Sequence, residues 1–346
     1  MAEDARLLDR LWETLFSRGM DGLVSPADIR RHGQERRRVR AGELREVARV
    51  QRELLALAEG ALRLDALGRL NEVDDDDRVH TVRINPLIEQ GREESLVTSL
   101  DTGKMLTSVG HELAMAGVRR ELVVRHIAIL AEEEMLRLPS EQASDRRVDS
   151  DWLMRWRLAA RDAVSMELKR LWARMLAGEV LRPGTYSIRT MEFLRNLSRS
   201  DREMIGFCAR FCFDNFIYRN PGRYFSDELH RPLFENLDEL GILRGVFGRP
   251  ETWLLASASP RGFRAMLPCR QRAIYVEGAH ADDDVRLPVY RLTRFGRELL
   301  SLFFAEADTA YLAAVAGDLK KKGFSVRLGD WIAGGGQGLF SEKVAI

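Results

Sequence analysis

The chain has 346 residues with a hydrophobic fraction of 45%, enough length and apolar content for two or three packed domains rather than wholesale disorder. Lys and Arg number 54 against 53 Asp and Glu, a formal charge of +1, so no global field draws the chain to nucleic acid and any basic footprint must be local. Only six of the basic residues are lysines; arginine forks bind phosphates and carboxylates bidentately, although a GC-rich genome produces the same bias.

Leu7, Leu8, Leu11, Leu15 and Phe16 recur at helical spacing, and Gly19 stops that helix. Ser25-Pro26-Ala27-Asp28 starts a second one, which Gly33 breaks. A longer helical pattern covers about Gln34 to Leu70, completing an N-terminal helical region over residues 1–70. Residues 71–91 read as an acidic linker: Asp74 to Asp77 repel one another, and their spacing is not that of a calcium loop. Val79 to Ile84 is a short strand candidate and Asn85-Pro86 a turn.

A central helical domain is expected over 92–198. Helical period returns from Glu94 to Leu138, where Gly103, Gly110 and Gly117 recur every seven residues, read either as breaks between shorter helices, the favoured reading, or as a stripe permitting close helix–helix approach. Asp149-Ser150-Asp151 opens a helix expected to reach about Val180, carrying Trp152, Trp156 and Trp172. A further helix lies between Thr185 and Leu197, and Ser200-Asp201-Arg202-Glu203 matches a capping box launching the next.

Residues 199–305 follow as an α+β unit. Pro232 is placed at N1 of a helix carrying Leu233, Leu237 and Leu240, with Gly241 as its C′ residue and a strand from Ile242. Ala273 to Val276 and Leu287 to Leu292 read as two strands joined by a polar tip, and Thr293 caps a helix. Residues 306–346 form a small α/β tail: a helix to Lys320, a strand from Phe324 to Leu328, then the glycine-rich Ala333 to Gly338.

The three cysteines, Cys208, Cys212 and Cys269, follow no disulfide-framework spacing, and the first two are expected as packed thiols on one helix. The scattered histidines complete no zinc set, so no metal and no cofactor is expected. No signal-peptide pattern opens the chain, and the most apolar stretch, Leu122 to Leu130, is too short and too charged to cross a bilayer. A cytoplasmic protein without a membrane span is the expectation. The tail carries Gly335-Gly336-Gln337, the tripeptide with which release factors hydrolyse peptidyl-tRNA, but without a basic flank. Phosphate-loop and nucleophile-elbow motifs are absent from the sequence, and no catalytic residue is assigned.

Two resemblances organise this pattern. Leu237-Asp-Glu-Leu-Gly-Ile-Leu243 and Tyr290-Arg-Leu-Thr-Arg-Phe-Gly-Arg-Glu-Leu-Leu300 resemble the recognition-helix end and the last wing strand of winged-helix domains. Such domains often lay the recognition helix in a DNA groove, yet here its exposed face offers Glu235, Asn236, Asp238 and Glu239, and the three acids repel phosphates. Asp149-Ser-Asp-Trp152, Leu171-Trp-Ala-Arg-Met-Leu-Ala-Gly-Glu179, Pro183-Gly-Thr-Tyr-Ser-Ile-Arg-Thr190 and Leu194-Arg-Asn-Leu-Ser198 resemble the bacterial domain-of-unknown-function family 2806, over about residues 148–245. That resemblance implies an accessory bacterial protein, with a link to phage defence, and transfers no site residues. Arg189 is expected to pair with Glu179 across the bend.

The expectation is therefore a mainly α protein: a multi-helical N-terminal and central region, then a winged-helix-like α+β domain. Its leading function is non-enzymatic, through contacts with another protein or with itself as a homo-oligomer. The alternative is a nucleic-acid-binding factor gripping phosphates with Arg36, Arg37, Arg38 and Arg40, or with Arg261, Arg264, Arg270 and Arg272.

Overall fold

A computed structural model describes scattered positions within 8–15, 45–52, 62–64 and 70–72, then residues 102–137, 144, 146–219, 221–247, 251–283, 285–332 and 339–342. The expectations for Ser25 to Arg40, the Asp74 run, the strand at 79–84 and the Gly335-Gly336-Gln337 tripeptide lie outside the described residues. Among the described residues the protein is largely helical, with two larger antiparallel sheets in the C-terminal half.

Leu8, Leu11, Trp12 and Leu15 are helical and buried. The helix expected to reach Leu70 does not: β1 (Leu62–Leu64) pairs antiparallel with β2 (Leu70–Glu72). Leu62-Arg63-Leu64 alternates with period two, and the five residues that follow contain Gly68, the pattern of a hairpin. Helix α1 (Thr102–Met135) then runs unbroken through Gly103, Gly110 and Gly117, correcting the expectation of breaks. The glycines occupy its N-terminal half, while burial of Val124, Ile127, Ala128 and Ala131 locks the other half; cooperative propagation outweighs each glycine's cost of about 1 kcal/mol.

The single helix expected from Asp149 to Val180 is two, α2 (Ser150–Ala160) and α3 (Met166–Leu181). Asp149 caps α2, and Ser165 caps α3 by accepting from the Leu168 N–H, so a second start signal lies inside the tryptophan run. The three tryptophans still pack as one group. Trp156 Nε1 donates to the Trp172 carbonyl at 3.2 Å, and Trp152 Nε1 donates to the Tyr186 carbonyl at 2.9 Å. Helices α4 (Ile188–Arg195) and α5 (Arg199–Cys208) follow. The capping box of α5 uses Ser198 and Asp201, two residues earlier than Ser200 and Glu203; the shorter carboxylate reaches the cap amide as well as the longer one.

Strand β3 (Phe216–Tyr218) precedes α6 (Asp227–Glu239). Helix α6 begins five residues before Pro232, which sits inside it rather than at N1. Gly241, at φ 72°, closes α6: its N–H reaches the Asp238 carbonyl and that of Ile242 reaches Leu237, a Schellman motif. Strands β4 (Leu243–Arg244), β5 (Glu251–Leu255), β6 (Phe263–Cys269), β7 (Arg272–Gly278) and β8 (Val285–Leu292) lead to α7 (Arg294–Leu302) and α8 (Thr309–Lys321). Strands β9 (Ser325–Ile332) and β10 (Leu339–Glu342) end the described chain.

The two strands expected to share one polar tip belong to different sheets. Strand β8 lies between β3 on one side and β4 and β5 on the other. Strand β7 lies between β6 and β9, in the order β10-β9-β7-β6. The reason is a competing hairpin: β6 alternates buried and outward residues in register with β7 across the two-residue turn Arg270-Gln271. One continuous apolar cluster joins Leu8 and Trp12 through α1 to α3 and on to Tyr311 and Leu319 of α8.

Candidate functional site

The turn Arg182 to Ser187 lies where α3, α4 and α7 meet, and two buried carboxylates hold it. Glu179 of α3 accepts from the backbone N–H of Gly184 at 2.6 Å and of Tyr186 at 3.0 Å, with Thr185 contributing a third amide. Glu298 of α7 accepts from the Ser187 N–H at 2.8 Å, the Thr190 hydroxyl at 2.6 Å and Arg294 Nε at 2.9 Å. Burial pushes the Glu179 carboxyl above its ordinary range; the three amides offset part of the rise, and the nearby Glu298 charge adds to it. Burial alone would raise Glu298 too, but the bonds from Thr190, Ser187 and Arg294 outweigh it and hold that carboxyl below its ordinary range.

The expected Arg189–Glu179 pair does not form. The Glu179 oxygens are taken by amides, and the Arg189 guanidinium lies over the Phe295 ring, 4.9 Å from its centroid. Arg189→Ala is expected to cost no more than about 1 kcal/mol, the scale of an exposed cation–π contact, read as a small shift in urea midpoint.

Beside the turn opens a cleft of about 550 Å³, with Arg174, Tyr186, Arg270, Ser301 and Phe304 in its wall. Its cations are engaged internally. Arg174 pairs with Glu134 at 3.4 Å and donates to the Leu302 carbonyl at 2.8 Å. Arg270 donates from Nε to the Ala209 carbonyl at 2.7 Å and from Nη2 to the Leu300 carbonyl at 3.0 Å, satisfying two helix ends. The Tyr186 and Ser301 hydroxyls share a hydrogen bond at 3.3 Å, and burial pushes the phenol up. Phe304 is 81% exposed at the rim. Among the described residues, the cleft sets no nucleophile against a base.

The four arginines predicted as one basic patch in the strand region do not form one. Adjacent positions on a strand face opposite ways, and the hairpin distributes them. Arg261 is exposed on the turn before β6. Arg264 points outward to Glu277 at 3.6 Å, Arg272 is paired with Asp330 at 2.8 Å, and Arg270 is the helix-end clamp. Arg36, Arg37, Arg38 and Arg40 lie outside the described residues.

All three cysteines are buried and free. Burial raises each thiol, Cys212 to about 12, so none is a ready nucleophile or metal ligand at neutral pH. Cys212 lies just past the end of α5 rather than on it, and its Sγ–H donates to the Cys208 carbonyl. Among the described residues, no group of three or more His, Cys, Asp or Glu is placed to hold a metal, and no helix is long and apolar enough to cross a membrane. The polar residues that sequence reasoning passed over are Glu179 as a turn clamp, Glu298, and Arg10, whose guanidinium donates to the Ser144, Arg146 and Val180 carbonyls; their partners are mostly backbone groups, which leave no pattern in the sequence.

The class defined by this architecture is a helical protein with an antiparallel α+β C-terminal half, built around an acid-clamped turn. Residues 120–215, from the second half of α1 to the entry of β3, match the model of the family described as protein of unknown function, DUF2806. Neither the curated proteins nor the solved structures contain a match to the chain.

Proposed function

We propose that the protein is a non-enzymatic accessory or regulatory protein that works through protein–protein contacts, with residues 199–305 as a winged-helix-like module. The sheet order supports the module: the last strand, β8, sits between β3 and β4, and α6 feeds directly into β4. The observation that carries the function is the outward face of α6. Glu235, Asp238 and Glu239 place three acids within five residues where a groove-reading helix needs donors, and Arg231 is held by Glu235 at 2.9 Å. Such a face fits a basic protein surface. A cytoplasmic setting, self-association and the link to phage defence belong to the same proposal.

One observation favours the alternative, a nucleic-acid-binding factor. On the outer face of the second sheet Arg327 lies over the Tyr275 ring at 4.7 Å, and Phe340 lies 5.9 Å from the same ring, as on base-stacking platforms. Glu277 contacts both Arg327 and Arg264, which weakens the pull on phosphates. Titration of mixed-sequence duplex and single strands at low salt separates the readings. No binding is expected; affinity that falls steeply as salt rises would establish the alternative.

A further inference from the structure

On the opposite side of the acid-clamped turn, a second cleft of about 410 Å³ opens between Pro183, Ile188 and the first turn of α2. Arg146, Arg147 and Arg155 line it. We propose that this cleft binds a small phosphate-bearing ligand, with the three guanidinium groups on the phosphate and the remainder of the ligand against Pro183 and Ile188. This goes beyond the protein-contact reading and stands or falls without it.

The first support is that three unpartnered cations line one cleft, while several other arginines are held by acids. Arg157 pairs with Glu121, Arg202 with Glu167, Arg210 with Asp308 and Arg272 with Asp330. The guanidinium groups of Arg146, Arg147 and Arg155 make neither an ion pair nor a hydrogen bond among the described residues, although all three residues line one concavity. Unpaired cations held close together repel one another, and a shared anion relieves that repulsion.

The second support is rigidity. The Arg10 guanidinium donates to the carbonyls of Ser144, Arg146 and Val180, and the Ser144 N–H donates to the Leu181 carbonyl at 2.8 Å. That clamp ties the strand of chain bearing Arg146 and Arg147 to the end of α3. Arg155 projects from α2, whose Trp152 is anchored on Tyr186. The forks are therefore mounted on fixed backbone, which reduces the ordering cost of binding.

The third support is selectivity. Asp149, Asp151 and Glu179 also line the cleft, the last with its oxygens taken by the turn amides. Asp149 is engaged, accepting from the N–H groups of Asp151 and Trp152 at 2.9 Å each. Asp151 opposes an incoming anion, so a single carboxylate gains little here. A phosphate dianion, whose oxygens engage several forks at once, gains enough to bind. The cleft volume lies within the range of about 300–1,000 Å³ typical of small-ligand sites.

The test is calorimetric titration of the full chain, at low salt, with inorganic pyrophosphate, with adenosine monophosphate, with sulfate and with a single-stranded oligonucleotide of about 20 residues. Saturable binding of pyrophosphate or the mononucleotide is expected, weakened at least about tenfold in the Arg147→Gln/Arg155→Gln double variant with its melting temperature unchanged. Both positions are exposed, so folding is preserved. Absence of saturation by either small phosphate overturns the proposal, as does equal binding of sulfate or undiminished affinity in the double variant. Binding of the oligonucleotide alone would place the phosphate chemistry on a polymer and overturn the small-ligand assignment.

Discussion

Gly296→Ala is expected to destabilise the protein by about 4 kcal/mol, at the upper end of single substitutions, because the new methyl group meets backbone. A Cβ on Gly296 would stand 2.1 Å from the Ile242 carbonyl oxygen and 2.9 Å from its carbon. That carbonyl cannot withdraw, since it accepts from the Thr293 N–H at 3.0 Å. Nor can the helix withdraw easily: the Thr293 hydroxyl accepts from the Gly296 N–H at 2.9 Å and donates to the Gly241 carbonyl at 2.7 Å. The start of α7 is thereby bolted to the end of α6. Urea unfolding reads the loss. A midpoint within experimental error of the parent would mean that α7 slides freely, contradicting the packing described. Ala substitution of the neighbouring exposed Arg297 serves as the control for helix propensity.

Glu179→Ala is the second large effect, about 3–5 kcal/mol, because it strands the amides of Gly184, Thr185 and Tyr186 with no acceptor in a buried turn. Glu179→Gln keeps one acceptor oxygen and is expected to lose clearly less. The pH response distinguishes the two acids of the turn. The Glu179 carboxyl titrates above its unfolded value of 4.5, so its contribution is full below that value and declines as pH rises through the folded value. The Glu298 carboxyl titrates below 4.5, so its contribution is full above that value and is lost as pH falls through the folded one. Stability measured across the acid range should therefore lose its downward slope above pH 4.5 in Glu179→Gln and its acid-side fall in Glu298→Gln. Parallel profiles for wild type and both variants would show that neither carboxyl is held as described.

Local signals were legible in proportion to how local their physics is. Asp149, Thr293 and Gly241 announced their caps because a cap is a bond between a side chain or a left-handed residue and backbone a few positions away. Ser165 was hidden by the tryptophans around it, whose burial spans two helices that meet at an angle the sequence does not state. The α5 cap was displaced by two residues because Ser198 and Ser200 both offer a hydroxyl, and only the position of the next carboxylate separates them. Strand existence was readable at 273–276 and 287–292, but partner choice was not. Register across the Arg270-Gln271 turn competes with pairing across a longer tip, and the shorter loop closes at lower entropic cost. The acid-clamped turn was the least visible feature. Its motif residues were conspicuous, yet Glu179 was matched to a charged partner when its true partners were three amides. The convergence of Arg146, Arg147 and Arg155 likewise depends on how α2 and the end of α3 meet, a tertiary fact.

The division of β7 and β8 between sheets has a consequence for how the chain matures. As it leaves the ribosome, the β6–β7 hairpin emerges well before β9, its remaining neighbour. A lone hairpin is marginal in water, and this one carries Phe263, Leu267, Ile274 and Val276 on one side, all buried in the finished fold, where α8 packs on β7 and β9 pairs with its open edge. Until translation has passed Ile332, an open strand edge and an uncovered apolar surface coexist on the nascent polypeptide. That interval is when another chain can add itself to the edge.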